Sequence, residues 1–243
     1  MSGSLLHRYQ NGDYLRVWEE LTQLGPAARD PQYFADATAV ARETMKRARH
    51  NVEQIIEKLD RLGFWSTKGP SSLKNPWVFR PADPHASQHL DALEEIIGGP
   101  LPLSIRHWWE QIEFVCLTGA HEALTPCLVN FLSERTDFDV DAPEPLVIWA
   151  YDLENLTDLA GFNEPGFQLQ IERDAYAIRL PDASADVKLR PDGTWFVPYL
   201  RKVFEWAGFP GWAHLESWLE PAREKFPVPP KELDHLRDGL LPI

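Results

Sequence analysis

Between residues 31 and 62 the apolar or small positions Ala41, Met45, Ala48, Val52, Ile55, Leu59 and Leu62 step by alternating fours and threes, with no glycine and no proline after Pro31. That spacing lines one face of a helix. Asp30 as N-cap, Pro31 in the first turn and Gly63 at the far end agree with the periodicity, so one helix of about 30 residues, roughly 45 Å long, is expected. A shorter helix is expected over 14–24, where Leu15, Trp18 and Leu21 recur at helical spacing and Gly25-Pro26 stops the run. Residues 1–65 then form a helical hairpin.

The pattern changes after Gly63. Gly69-Pro70, Asn75-Pro76, Pro81 and Pro84 interrupt any regular element, while Trp65, Trp77, Val78 and Phe79 stay apolar. Residues 66–86 read as an ordered connector, because a flexible linker has little use for aromatics. A helix starts at Gln88, capped by Ser87, with Leu90, Leu93 and Ile97 on one face and Gly98-Gly99 closing it. A third begins at Pro102, with Leu101, Ile105, Trp108, Trp109 and Ile112 apolar.

Strand-like runs follow over 114–117, 146–151, 167–171, 175–180 and 187–189, separated by Asp, Asn, Gly and Pro clusters. Thr194 then caps a helix whose buried face is Phe196, Leu200, Val203, Phe204 and Ala207, and Gly208 ends it. A short helix is expected over 232–240. The fold class expected is α+β: a mainly antiparallel sheet packed with helices over residues 87–243, with a C-terminal helical tail, preceded by the helical hairpin.

Composition adds little to the fold but narrows the function. The 243 residues carry a net charge of −13, unevenly spread: residues 1–86 hold 12 basic against 10 acidic groups, and residues 87–243 hold 12 against 27. A surface so negative repels phosphates and favours basic partners, so nucleic acid is not expected as a ligand. No apolar run approaches the ~20 residues of a membrane span, and the first residues lack the apolar core of a signal peptide, so a cytoplasmic protein is expected. Cys116 and Cys127 are the only cysteines. Two need no disulfide framework, and both are expected to be reduced.

Three stretches carry a resemblance. They are the Gly98-Gly99-Pro100-Leu101-Pro102 junction between two helices, the run Ala177-Ile178-Arg179-Leu180-Pro181-Asp182 with Ala185-Asp186, and Phe196-Val197-Pro198-Tyr199-Leu200-Arg201 through Gly208-Phe209-Pro210-Gly211-Trp212. Over residues 87–212 the chain resembles bacterial members of the SUKH superfamily, the Smi/Knr-type domains; the N-terminal helical segment lies outside the likeness. The resemblance implies an α+β domain that binds rather than catalyses. Many bacterial members are thought to be immunity proteins that neutralise toxins, whereas fungal relatives are regulatory interaction proteins.

The residues themselves offer few chemical sites. His85 and His89 stand four apart, but the Glu of a zinc-protease motif is missing and solvated histidines are expected. Cys116, His121 and Cys127 lack a tightly spaced fourth ligand and any Cys-His signature, so a structural cysteine is the expectation. Asp137, Asp139 and Asp141 start like a calcium loop, yet Ala142 stands where the turn glycine belongs and Ile148 where the closing Glu belongs. With Asp152 and Glu154 they are the expected partner-binding residues, since clustered carboxylates are relieved by a basic partner.

Arg42, Lys46, Arg47, Arg49 and His50 make a basic stripe, partly explained by the i,i+4 pairs Glu43 to Arg47 and Glu57 to Arg61 and read as a docking face for the acidic part. Phe209 to Trp212 are expected to pin a turn to the core. No catalytic residue, metal or cofactor is expected. The function expected is non-enzymatic protein binding, as an immunity-type protein against a basic toxin. The alternatives are a regulatory or scaffold protein using the N-terminal helices, and an uncharacterised hydrolase using His121 or the acidic loop.

Overall fold

A computed structural model describes residues 3–125, 145–149, 168–170, 176–217 and 220–243. Its helices are α1 (Leu5–Gln10), α2 (Tyr14–Leu24), α3 (Phe34–Arg61), α4 (Ala86–Ile96), α5 (Leu103–Trp109), α6 (Phe196–Glu205), α7 (Glu220–Lys225) and α8 (Glu232–Arg237). The strands are β1 (Trp65–Ser66), β2 (Gly69–Pro70), β3 (Phe79–Pro81), β4 (Ile112–Cys116), β5 (Gly119–Ala120), β6 (Val147–Trp149), β7 (Gln168–Gln170) and β8 (Ala177–Arg179). The protein is α+β, with small antiparallel sheets packed against helices. No helix among the described residues is long and apolar enough to cross a membrane.

The long helix α3 organises the rest. Of the expected stripe, Ala41, Met45, Ala48, Val52, Ile55 and Leu59 are all buried, and Leu62 packs at its margin. Its small residues let neighbours approach on several sides, and α1, α5 and α8 all pack against it. The helix starts later than Asp30-Pro31 suggests. A 3₁₀ turn over Gly25–Arg29 precedes it, and the Asp30 carbonyl accepts from the Tyr33 and Phe34 N–H groups, so helical geometry begins at Phe34. Trp18 of α2 donates from its indole Nε1 to Thr44 Oγ1 at 3.0 Å, and Thr44 in turn donates to the Val40 carbonyl.

The N-terminal segment is more than a hairpin, because α1 precedes α2. Leu5-Leu6 and the N-cap Ser4, whose hydroxyl accepts from the His7 N–H at 3.2 Å, signal α1 locally, and the Asp36 carboxylate of α3 accepts from both the Leu5 and Leu6 N–H groups and so completes the cap. Helix α2 has the expected bounds with a shifted face: Val17, Trp18 and Leu21 are buried and Leu15 is exposed.

The strands form three small sheets among the described residues rather than one: β2-β1-β5, β3-β4-β6 and β7-β8, with every pair antiparallel. The expected run 187–189 makes only one isolated bridge, Lys188 with Trp195, and the next residue, Arg190, bridges Ala177 of β8. β2 and β3 lie within residues read as a connector, and β1 straddles its boundary with the expected hairpin. Gly119 is required where β5 meets β1: a Cβ there would stand 2.3 Å from the Phe64 ring and 2.5 Å from the Trp65 carbonyl oxygen. Gly208, with φ +92, ends α6 by donating to the Val203 carbonyl, and a Cβ there would stand 2.5 Å from Leu117.

The tail is tied down by buried polar groups of α3. Asn51 clamps Leu241 with two hydrogen bonds, Nδ2 to its carbonyl at 2.8 Å and Oδ1 from its N–H at 2.7 Å. The Lys58 ammonium donates to the carbonyls of Leu236 and Asp238 at the end of α8. Arg201 donates to the Ile243 and Tyr14 carbonyls at 2.7 and 3.0 Å, which joins α6 to both the tail and α2.

Candidate partner-binding surface

Residues 99–104, 181–187 and 196–197 meet in one place, and most of the residues that join there are buried or half-buried. Gly99 approaches Pro181 so closely that a Cβ would lie 2.9 Å from it, and the Asp182 N–H donates to the Pro100 carbonyl. The first N–H groups of α5, on Leu103 and Ser104, donate to the carbonyls of Ser184 and Ala185. Asp186, fully buried, accepts from its neighbour Val187 N–H at 3.0 Å and from Val197 N–H at 3.1 Å, which caps α6 from ten residues before its start. Thr194, the expected cap, bonds Asp192 instead. Burial pushes the Asp186 carboxyl up to about 6, against the pull of the Ser104 hydroxyl, the two backbone donors and the Arg201 charge.

Phe209 and Trp212 are buried, and Trp212 donates to the Leu124 carbonyl at 3.1 Å, so the Phe209–Trp212 turn pins the end of α6 to the core as expected. Arg106 of α5 holds α4 through ion pairs to Asp91 and Glu94 at 2.6 and 2.8 Å, and Glu94 also accepts from the Leu101 N–H at 2.8 Å. The expected cap of α4 shifts with this clamp. The helix begins at Ala86 behind Asp83, whose carboxylate accepts from the His85 N–H, while the Ser87 hydroxyl accepts from Arg106. His107 Nδ1 lies 2.6 Å from Glu110. Burial alone would raise Glu110, but the His107 hydrogen bond and the charges of His107, Arg106 and Arg42 draw it below the usual carboxylate range.

The basic stripe of α3 is largely engaged. Arg47 pairs with Glu43 at 2.9 Å and stacks on the Tyr9 and Tyr14 rings, and Arg61 pairs with Glu57 at 3.5 Å. Arg49 pairs with Glu53 and reaches the Gln111 carbonyl beyond α5, while Arg42 acts on Glu110. Lys46 and His50 remain exposed. His85 is exposed and His89 half-buried. Cys116 sits in β4 as a free thiol, and Cys127 lies outside the described residues. The His121 ring accepts from the Ala123 and Leu124 N–H groups at 3.3 and 3.4 Å, closing its own turn. Among the described residues no three His, Cys, Asp or Glu side chains converge on a metal position. The expected partner-binding residues Asp137, Asp139, Asp141, Asp152 and Glu154 all lie outside the described residues.

Two surface features stand out. Exposed carboxylates of the C-terminal part include Glu95, Glu122, Asp192, Glu205 and Glu216, beside the exposed cations Arg179, Lys188, Arg190, Lys225, Lys231 and Arg237, while Arg106 and Arg201 are turned inward. The second was missed in the sequence. Trp65 and Trp77 are 57% and 61% exposed, although Phe64, Val78 and Phe79 beside them are buried. Trp65 faces outward from β1 opposite Pro70 and Ala120, with the Lys68 ammonium 6.0 Å from the Trp77 ring centre. Beyond Ala120 lies an open groove lined by Gly63, His121, Glu122 and Glu232. The available signal was the absence of any Asp or Glu from residues 63–82, around two tryptophans. Comparison with family models, with curated proteins and with solved structures finds no match.

Proposed function

We infer that this chain is a non-enzymatic binding protein that presents a negative face to a basic macromolecule, in the manner of a SUKH-type immunity protein neutralising a cationic toxin. The observation that carries the reading is electrostatic. Residues 87–243 hold 27 acidic against 12 basic groups, and Glu95, Glu122, Asp192, Glu205 and Glu216 are exposed, so the negative excess reaches the surface. Such a face draws a cationic partner in quickly and rejects anionic ones, nucleic acid included. The SUKH likeness of residues 87–212 supports the same reading, because it implies a binder.

The direct test is capture on the immobilised full chain from cells that carry its gene, at low and then high salt. The expected result is saturable retention of one basic protein that releases as salt rises. Retention of none, or of one indifferent to salt, sinks the reading.

A further inference from the structure

We propose that the face around Trp65 and Trp77 is a two-fold interface between two copies of this chain. Along β1 the groove with Glu122 and Glu232 lies at the Gly63 end, because β5 runs antiparallel and passes Ala120 opposite Trp65 before reaching Glu122. Lys68 lies at the other end, in the turn to β2, with Trp77 beneath its ammonium. Gly63 and Lys68 thus lie beyond opposite ends of β1. Trp65 stands between them.

The face is therefore dipolar, with carboxylates on one flank, lysines (Lys68 and the exposed Lys74) on the other and aromatic surface in the middle. A pattern of that kind is self-complementary under a two-fold axis. Rotation about Trp65 sets the Lys68 flank of each copy against the Glu122 flank of its partner and buries the tryptophans together. Charge also selects the location. Two chains of net charge −13 repel one another over most of their surface, whereas residues 63–82 carry Lys68, Lys74 and Arg80 and no acidic residue. Copies meeting here place no carboxylate of this segment against another.

Sedimentation of the full chain over a range of concentrations tests the proposal. The mass should rise from the 27.9 kDa of one chain towards twice that value. Replacing both Trp65→Ala and Trp77→Ala should lower the association constant by about tenfold or more, as expected for buried tryptophan anchors. Thermal unfolding of the same variant at a concentration where both proteins are monomeric should match wild type, which separates lost docking from lost folding. Lys68→Glu alone should weaken association, and adding Glu122→Lys should restore it, because each new glutamate then faces a new lysine of the partner. A single-chain mass at every concentration overturns the proposal. So does a dimer indifferent to the tryptophans, or a charge reversal no better than Lys68→Glu alone. A chain that stays monomeric yet loses basic-protein capture without its tryptophans also overturns it, in favour of a foreign occupant.

Discussion

The tryptophans of the family-like region and those of the segment after α3 are the same side chain put to opposite uses. Trp108, Trp109 and Trp212 are essentially inaccessible, with Trp108 set edge-on to Phe196 at 5.7 Å between ring centres. Trp65 and Trp77 stand in solvent beside a proline- and glycine-rich turn. The buried tryptophans of residues 87–212 thus hold the fold together, and an exposed aromatic surface lies where the sequence looked like a connector. Buried residues report on architecture, and function is argued from what is left exposed.

That contrast can be broken most sharply in the core. Trp212→Ala should cost about 3–5 kcal/mol of stability in urea unfolding, since it opens a large cavity and removes the indole donor to Leu124. A loss under about 1 kcal/mol would mean that the turn after α6 is not part of the core.

A pH titration of stability sharpens the same region. The folded Asp186 carboxyl, near 6, lies above its ordinary value of 3.8, so folding favours its protonated form. Its contribution is complete below the ordinary carboxylate range and is lost as pH rises to about 6 and beyond, a change of about 3 kcal/mol at most. Asp186→Asn should flatten that part of the profile. An unchanged slope between about pH 4 and 6 in the variant would contradict the assignment.

Smaller effects follow at the edges. Asn51→Ala leaves the Leu241 N–H and carbonyl without their clamp and should cost about 2 kcal/mol, with faster amide exchange confined to the tail after α8. Trp65→Ala and Trp77→Ala, each made singly in the monomer, should change stability by less than about 0.5 kcal/mol. A large loss at either would move that tryptophan into the structural class and erase the comparison.

What the sequence made legible is what local chemistry decides. Helix α2 shows both its bounds because Gly25-Pro26 ends a strongly amphipathic run, and the stripe of α3 survives intact because six of its seven positions are buried. What stayed hidden depends on partners distant in sequence. α1 needs Asp36, α6 needs Asp186, and the choice of Val17 over Leu15 is made by packing, since both fit helical spacing with Trp18 and Leu21. Two-residue strands such as β1 and β5 carry no periodicity to read, so their pairing, and with it the outward face of Trp65, could not be foreseen. The expected acidic site at Asp137, Asp139, Asp141, Asp152 and Glu154 falls outside the described residues, and within them exposed carboxylates such as Glu95, Glu122 and Asp192 carry the negative charge instead.

If this chain acts by covering a cationic partner rather than by chemistry of its own, its presence protects a cell from that partner. The decisive measurement is survival of cells that produce the basic protein captured on the chain, with the chain supplied or withheld. The account predicts growth only when the chain is present, and loss of that protection when exposed carboxylates of residues 87–243 are reversed to lysine. Equal survival with and without the chain, or protection that persists after the charges are reversed, would contradict it.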